Sequence, residues 1–346
     1  MQSILHAVSR NKFGSINDIH RDLIQTALLA KGDEQEQLFG LARRKRTENF
    51  PHEKAEFRSV VEISNICRQK CKYCGMSYHS KRKRYTISHK ELMDVVENIY
   101  YKGRKVLLLQ SGENNSQRFI DLVCKCLEDI KYKFGDLTVI LCMGNLSYHQ
   151  YKLLRDSGAD RYILKFETSN PDLYKQLKPG DSLQSRLEGL HHLIELGFDV
   201  GTGNIVGLPG QTIQDIINDL LFFAGFRLSM ISSTVFIPGK DSHLRDMPMG
   251  DLDLTLNFMA LVRIMYPEVL IPATSSLEKA GEGGQYRGLL AGANAVTVHD
   301  GTPERLKEHF PIYSADRFTP NETHIDGIVK RAGLNFPGKL HSNAQH

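Results

Sequence analysis

Short runs of apolar, β-branched residues alternate along the chain with longer segments in which apolar residues recur every three to four positions. The short runs predict eight strands, at residues 57–64, 105–112, 137–144, 161–168, 199–209, 229–238, 269–276 and 294–299. The longer segments predict helices, most of which begin at Ser, Thr or Asp and several of which end at Gly. Eight such alternations predict a (β/α)8 barrel of the TIM type, whose functional residues lie where the strands end. A doubly wound open sheet has the same local pattern and is the alternative.

The length of 346 residues accommodates one large α/β barrel with terminal extensions. Residues 1–56 lie before the first predicted strand and have the apolar spacing of helices. The barrel is expected to occupy residues 57–319. Residues 320–346 are expected to form a closing C-terminal helix and a tail.

Composition narrows the class of protein. The chain has 44 Lys and Arg against 40 Asp and Glu, a net charge of +4, which favours no dedicated nucleic-acid surface. Its 41% hydrophobic content is typical of a globular chain. No run approaches the ~18 apolar residues of a membrane span, and the first residues lack the apolar core of a signal peptide. We therefore expect a cytoplasmic protein with neither a membrane nor a nucleic acid as partner.

Three of the six cysteines are clustered directly after the first predicted strand. Cys67, Cys71 and Cys74 have the spacing C-x3-C-x2-C, so three thiolates can reach one soft metal centre. A cubane iron–sulfur cluster normally takes four cysteines, and no fourth lies nearby, so one iron would stay open to another ligand. A zinc site is the alternative, but the nearest histidine, His79, has no partner at a fitting interval. Inert core thiols do not fit a loop rich in Lys and Arg.

This spacing, with Tyr73 before the last cysteine, resembles the radical S-adenosylmethionine (SAM) superfamily. In that family three cysteines hold a [4Fe-4S] cluster, SAM binds the open iron, and one-electron reduction cleaves SAM to a 5′-deoxyadenosyl radical. The resemblance implies that Cys67, Cys71 and Cys74 are the metal ligands and the catalytic centre. It also implies two cofactors, the [4Fe-4S] cluster and SAM, and an electron donor such as ferredoxin or flavodoxin.

The resemblance further implies a set of SAM contacts at the strand ends. Ser111-Gly112-Glu113 is similar to the family's "GGE" motif, Glu167 and Arg186 are similar to residues that bind the SAM amine and carboxylate, and residues 203–210 are similar to the strand that passes the adenine. The full implied set is Tyr73, Ser111, Gly112, Glu113, Glu167, Arg186, Ile205, Met230 and Ile237.

Within the superfamily the chain resembles the biotin-synthase-like branch, and best the HydE type, which matures iron–iron hydrogenase. The segments that carry this are VEISNICRQKCKYCG, GADRYILKFETSNPDLYKQLKPG, NIVGLPGQT and RIMYPEVLIPATSS. It implies a small-molecule or organometallic substrate held in the barrel by Arg58, Lys165, Thr274 and Ser275. Either cation could instead pair with a structural carboxylate such as Glu62. Lys165 replaces the family's arginine, and no cysteine follows Cys142, so the C-terminal cysteine group of some members is absent.

Three alternatives remain. Biotin synthases add a second cluster on barrel cysteines, but Leu109, Ile140 and Gly201 occupy those positions, and Cys142 is off them. A methylornithine-synthase-like mutase grips its product with two charges, where this chain has Ser232 and a second serine. The alternative of another class is a non-catalytic zinc or iron–sulfur protein acting as a scaffold or carrier.

Overall fold

The computed structural model describes residues 18–51, 54–311 and 318–335. Within these ranges all strands belong to one parallel sheet of eight strands in the order β6-β5-β4-β3-β2-β1-β8-β7. Their bounds are β1 Glu56–Ser64, β2 Val106–Ser111, β3 Thr138–Cys142, β4 Arg161–Ile163, β5 Asp199–Val206, β6 Met230–Val235, β7 Pro272–Ala273 and β8 Ala295–Val298.

The sheet closes on itself between β6 and β7. Ile231 N donates to Leu270 O at 3.0 Å, and Leu270 N donates to Ser229 O at 2.9 Å, which joins β6 to the residue just before β7. Because β6 is joined to the segment before β7 while the other strands pair in sequence, the sheet has no open edge, so it is a barrel and the open doubly wound sheet is wrong. The predicted (β/α)8 fold of the TIM type is confirmed.

The α-helices of the described ranges surround this barrel and precede or follow it. Their bounds are α1 Asp18–Leu28, α2 Asp33–Asn49, α3 His89–Tyr101, α4 Gln117–Lys133, α5 Tyr148–Asp156, α6 Pro171–Leu177, α7 Leu183–Glu195, α8 Ile213–Phe222, α9 Leu252–Met265, α10 Ser275–Ala280, α11 Gly284–Leu290, α12 Glu304–Lys307 and α13 Glu322–Arg331. None of them is long and apolar enough to cross a membrane.

Start signals in the sequence explain where several helices begin. Ser88, Ser147 and Thr212 form capping boxes at the amino ends of α3, α5 and α8, so each satisfies backbone N–H groups that have no partner within the helix. The two helices α1 and α2 precede the barrel, and α2 packs against α9. Residues 1–17, 52–53 and 336–346 of the predicted terminal regions and residues 312–317 of the predicted barrel lie outside the described residues, and the domain boundaries remain predictions.

Two strands, β4 and β7, are much shorter than the sequence predicts. β4 ends at Ile163, and the chain rejoins β5 only at Glu167, whose N–H donates to Gly203 O at 3.0 Å. β7 ends at Ala273 because Thr274 is the N-cap of α10. Lys165, Thr274 and Ser275 therefore lie just past their strands and not within them. That end of the barrel is the one at which parallel-barrel enzymes place their chemistry.

The core has an outer and an inner layer. Along β1, Val61 packs in the outer layer between the sheet and the helices, while Val60 faces the barrel axis, as the two-residue period of a strand requires. The inner cluster is small and apolar: Val60, Val106, Leu108, Ile140, Ile163 and Met230. Above it, towards the carboxyl ends of the strands, the interior side chains become polar.

Candidate active site

The loop of residues 65–84, called the cysteine loop below, carries Cys67, Cys71 and Cys74 directly after β1. Asn65 closes its base: the side-chain N–H groups donate to Lys83 O and His309 O, both at 2.8 Å, and Oδ1 accepts from Tyr85 N. Because the loop has little regular structure, these side-chain bonds to backbone groups fix its path.

Arg84 holds the same loop from inside. Its guanidinium donates to four backbone carbonyls, at distances between 2.6 and 3.2 Å: those of Asn65, Met76, Ser77 and Ser80. The arginine guanidinium has five N–H donors, so it is the group best suited to bind several carbonyl oxygens at once. Sequence reasoning missed this role. Arg84 is the last of four consecutive basic residues, 81–84, and such a run is more often a solvated surface.

The thiol groups fit a cationic, soft metal centre. Cys71 is buried, and burial raises the pKa of its thiol to about 12, against the opposing influence of Lys178. Three neighbouring thiolates are costly to hold without a cation between them. No three His, Cys, Asp or Glu side chains in the described part of the chain are placed around a single metal ion. A four-iron cluster takes one thiolate per iron and spaces its ligands more widely than one zinc ion does.

The end of β2 packs directly against the cysteine loop. A Cβ at Gly112 would lie 2.4 Å from Ile66 O and 2.8 Å from Cys67 Cβ, so this position must be glycine. Ser111 is buried and donates to Gly112 O at 2.8 Å. The motif Ser111-Gly112-Glu113 therefore lies beside the cysteines, as the sequence predicts.

The carboxylate of Glu113 is shared among several donors of the chain. Gln69 Nε2 lies 2.5 Å from Oε1, Asn145 N lies 2.9 Å from Oε2, and Arg68 Nη2 forms an ion pair at 3.0 Å. Arg186 Nη2 lies 3.4 Å from Oε2. The structure thus brings together Glu113 and Arg186, both of which the resemblance places in the SAM site, and pairs them with each other.

Arg186 is buried on α7, where it also lies 3.2 Å from Asp181. Burial disfavours its charge, but the hydroxyl of Tyr174 and the carboxylates of Glu113 and Asp181 together raise the pKa of Arg186 well above its usual value. The guanidinium is therefore a permanent cation next to the cysteine loop, held by groups on three segments.

Glu167 has an unusual backbone. Among the described residues it is the only non-glycine residue with positive φ, at 69°. Such strain is typical of functional positions. Its buried Oε2 accepts no hydrogen bond within the described residues, although Lys165 Nζ lies 3.2 Å away. Burial and the nearby Glu167 carboxylate raise the pKa of Tyr73 well above its usual value. A buried carboxylate oxygen that accepts no hydrogen bond within the described residues fits an ammonium ligand.

An apolar cluster lies next to these polar groups. Tyr73 packs against a cluster that includes Ile205 and Phe236, at the ends of β5 and β6. Two residues of the predicted SAM set lie elsewhere. Ile237 packs against the outer core, and Met230 lies at the start of β6, towards the other end of the barrel.

A cavity of about 160 Å³ lies inside the barrel. All four predicted substrate residues line it, together with other side chains of the inner layer. The lining comprises Arg58, Val60, Leu108, Gln110, Cys142, Ile163, Lys165, Met230, Ser232, Pro272, Thr274, Ser275, Thr297 and His299. Cys142 thus faces the interior, whereas Leu109, which the sequence comparison with biotin synthases placed inside, packs in the outer layer.

Both cations of the cavity have carboxylate partners, but neither partner is Glu62. Arg58 is fully buried, its Nε lies 2.5 Å from Glu56 Oε1, and its Nη1 lies 2.6 Å from Met230 Sδ. Burial lowers the pKa of Arg58, against the opposing influence of Glu56. Its Nη2 has no hydrogen-bond partner in the described residues. Lys165 Nζ donates to Thr234 Oγ1 at 2.9 Å, besides the pair with Glu167.

Glu62 takes part in a second polar group at the cavity that sequence reasoning missed. His299 Nδ1 lies 2.7 Å from Glu62 Oε1, and Thr302 donates to the other carboxylate oxygen. The signal in the sequence was the position of His299 at the end of the eighth predicted strand, where barrel enzymes carry functional residues.

Comparison with known proteins places this site in a family. The sequence profile of the Radical SAM superfamily matches residues 61–223. The [FeFe] hydrogenase maturase subunit HydE of Thermotoga maritima is 37% identical over 279 residues, which cover 80% of this chain and 79% of HydE. The chain belongs to the radical SAM superfamily. The resemblance to HydE is confirmed, and the chain is an enzyme of this superfamily.

More distant relatives share the architecture. The 3-methylornithine synthase of Methanosarcina acetivorans is 26% identical, over 90% of this chain and 87% of the relative. The crystal structure of methylornithine synthase PylB superposes with a TM-score of 0.78 at 22% identity, covering 97% of this chain and 98% of PylB. The hydrogenase maturase HydG from Carboxydothermus hydrogenoformans superposes equally well at 18% identity, covering 96% and 78%. At these low sequence identities the structural comparison supports a shared fold only.

Proposed function

We propose that the chain reductively cleaves SAM at a [4Fe-4S] cluster held by Cys67, Cys71 and Cys74. The observation that carries this is the meeting of the three thiols, the Glu113–Arg186 pair and the buried Glu167 oxygen at the carboxyl ends of the strands. When bound, the cluster supplies the electron that breaks the C5′–S bond of SAM, which gives methionine and a 5′-deoxyadenosyl radical.

The chain's own residues bind and orient SAM. Arg186 offers its guanidinium to the methionyl carboxylate in a charge-assisted contact. Glu167 Oε2 accepts from the ammonium group. Tyr73 and Ile205 contact the adenosine part from the apolar side. Glu113 positions Arg186 and the cysteine loop, since its carboxylate already accepts from Arg68 and Gln69.

Metal content and SAM cleavage test this proposal. Reconstituted without oxygen, the protein is expected to bind about four irons and to form 5′-deoxyadenosine under dithionite. Replacing any one of the three loop cysteines by Ser removes the iron. Cys124→Ser on α4 is the matched control and retains it. A colourless protein with one zinc and no cleavage contradicts the proposal and supports the scaffold alternative.

For the substrate we propose a HydE-like role in hydrogenase cofactor maturation, with a small, anionic or metal-bound molecule in the barrel cavity. The identity to HydE supports this. So do the cations at the cavity, because Arg58 Nη2 is buried without a hydrogen bond among the described residues. A closed barrel also excludes water from a radical. The mutase role finds less support, since Ser232 lines the cavity where that role needs a charge.

Genetic replacement tests the maturase role. In a host that lacks its own HydE, the chain is expected to restore hydrogenase activity. Lys165→Arg brings back the family's arginine at this position and is expected to restore activity at least as well, whereas Lys165→Met is expected to fail. If the protein is expressed with its iron and cleaves SAM but restores no hydrogenase activity, the maturase role is wrong and the SAM chemistry stands.

A further inference from the structure

His299 lies directly after β8 and lines the barrel cavity. Its Nδ1 lies 2.7 Å from Glu62 Oε1, and both side chains are buried. Thr302 donates to the other oxygen of the same carboxylate, so the carboxylate is held from two sides and in turn orients the ring. A molecule in the cavity that bonds to His299 therefore meets Nε2, since Nδ1 faces Glu62.

Arg58 lies on the same wall of the cavity. In the register of β1 with β8 it pairs with Thr297, and His299 follows Thr297 by two residues, so the three side chains face the barrel axis. At about 3.3 Å per residue, His299 lies roughly 7 Å beyond Arg58 towards the carboxyl ends of the strands. Arg58 Nη2 is buried and has no hydrogen-bond partner among the described residues. A buried donor without a partner indicates a ligand that accepts hydrogen bonds, as an anion does.

The permanent cations at the cavity are already matched by carboxylates. Glu56 accepts from two arginines, at 2.5 and 2.7 Å, and Glu167 lies 3.2 Å from a lysine. Glu62 adds a third carboxylate, and the largely exposed Asp199 lies 3.9 Å from the second arginine. The three cations are Arg58, Arg161 and Lys165. An anion that enters the cavity brings a negative charge that these groups do not neutralise, and such a charge is costly in a buried site.

His299 is the group at the cavity that can supply the missing positive charge. Histidine is the side chain whose ordinary pKa lies nearest to neutral pH, so protonating it costs little. Cys142 lines the same cavity, but burial raises the pKa of its thiol to about 11, so the thiol stays neutral. The other titratable neighbours have partners of their own: Tyr85 donates to the backbone oxygen of Glu62, and Asp300 accepts from a serine hydroxyl of β1 at 3.3 Å.

We propose that His299 takes up one proton when a small anion, such as a carboxylate, enters the cavity, so that the cavity binds the anion and a proton together. This inference rests on the proposed anionic substrate and adds how its charge is balanced. The proton comes from solvent or from the acid form of the ligand, the Nε2–H bond forms on the nitrogen lone pair, and no electron is transferred. The imidazolium then donates through Nδ1 to Glu62 and through Nε2 to the anion, while Arg58 Nη2 donates to the same anion.

Calorimetric titration of acetate into the iron-loaded protein without SAM tests this proton uptake. Titrations in HEPES and in Tris, which differ in ionisation enthalpy, give the number of protons taken up for each acetate bound. We expect close to one proton for the wild type at about pH 7.5, and an affinity that falls by up to about tenfold per unit as pH rises from 7 to 9.

His299→Gln keeps a hydrogen-bonding side chain beside Glu62 but cannot be protonated. We expect it to bind acetate at least tenfold more weakly at pH 7, with no proton uptake and no dependence on pH. The matched control is His191→Gln on the exposed side of α7, which should behave as the wild type does. Glu62→Gln removes one carboxylate instead, so it should bind acetate more tightly than the wild type at pH 8.5 and take up little or no proton.

The outcomes separate this inference from the proposed function. The inference is overturned if the wild type binds no acetate, if it binds acetate without a proton, or if proton uptake persists in His299→Gln. Weaker binding at pH 8.5 in Glu62→Gln than in the wild type contradicts the charge balance. If in any of these cases the wild type still cleaves SAM under dithionite, the proposed function stands. If the wild type holds no iron and cleaves no SAM, the proposed function fails, and the acetate titration of the same protein still reports on His299.

Discussion

His299 and Glu62 join the last strand of the barrel to the first, with His299 Nδ1 2.7 Å from Glu62 Oε1 and both side chains buried. The same carboxylate accepts from Thr302, and Glu62 N donates to Thr302 Oγ1 at 2.8 Å. Two residues separated by 237 positions thus close the polar end of the cavity. A buried carboxylate of this kind is stable only while its partners stay in place.

Removing the imidazole should leave the Glu62 carboxylate under-satisfied. We expect His299→Leu to lower the free energy of unfolding by about 3 kcal/mol, the usual cost of breaking a buried pair. The double variant Glu62→Leu/His299→Leu should be less destabilised than the two single effects added. Urea unfolding of the four proteins measures this coupling. Additive effects would show that the two side chains do not depend on each other.

Arg84 gives a prediction for the cysteine loop. Its loss leaves four carbonyls without their donor, at roughly 1 kcal/mol for each hydrogen bond. We expect Arg84→Ala to raise amide hydrogen exchange across residues 65–84 and to lower iron content at least twofold. Arg84→Lys should recover only part of the iron content, because an ammonium group cannot reproduce the planar set of donors of the guanidinium. The neighbouring Lys83→Ala is the control, and loss of iron there as well would remove the special role of Arg84.

Arg186 gives a prediction for SAM. A charge-assisted bond contributes about 1.5–3 kcal/mol, so Arg186→Ala should weaken SAM binding by roughly tenfold to a hundredfold. The iron should remain, since Arg186 holds no thiol. Equilibrium dialysis with labelled SAM on the iron-loaded protein checks this, with Arg118→Ala on the exposed side of α4 as the control. Wild-type affinity in Arg186→Ala would mean that this guanidinium only supports Glu113 and Asp181.

Local patterns and long-range pairing differ in what the sequence reveals. The period of apolar residues predicted all eight strands, because burial on both faces of a parallel strand leaves a recognisable run. The placement of Leu109 inside the barrel was wrong. A shift of one residue moves a side chain to the other face, and only the pairing of Leu109 with Val61 fixes which face it takes.

The same limit applies to charges. The resemblance to the radical SAM family implies that Glu113 and Arg186 lie near one site. The sequence contains no local signal that they pair with each other, or that Glu56 and not Glu62 holds Arg58. Such pairs depend on which side chains the closed barrel brings together, and that is a property of the whole fold.

Asp219 gives the last prediction, which concerns pH. The residue lies on α8, fully buried, and ties the segment after Glu167 to β5. Oδ1 accepts from Ser169 N at 2.6 Å and from Ser169 Oγ at 2.7 Å, and Oδ2 accepts from the side-chain amides of Asn204 and Gln211 at 3.2 Å. Burial raises the pKa of Asp219 to about 6, although the hydrogen bonds from Ser169 act in the opposite direction.

A raised carboxyl pKa makes the folded protein bind a proton that the unfolded chain has already lost. Between about pH 4, the usual pKa of an unfolded Asp, and pH 6, this group therefore makes stability fall as pH rises, and the effect levels off above pH 6. Asp219→Asn cannot titrate. We expect the free energy of unfolding of the wild type, minus that of Asp219→Asn, to fall by on the order of 2 kcal/mol between pH 4.5 and pH 7.

Urea unfolding of both proteins across that range measures the difference, with Asp215→Asn as the matched control. Asp215 lies on the same helix, and its pKa is lowered because backbone and side-chain hydrogen bonds from Thr212 and Asn170 outweigh burial. Its contribution is lost only as pH falls below the usual range of Asp, so the difference between wild type and Asp215→Asn should stay flat from pH 4.5 to pH 7. If the Asp219 difference is equally flat, the buried carboxyl titrates as an exposed one does, and its hydrogen bonds fully compensate its burial.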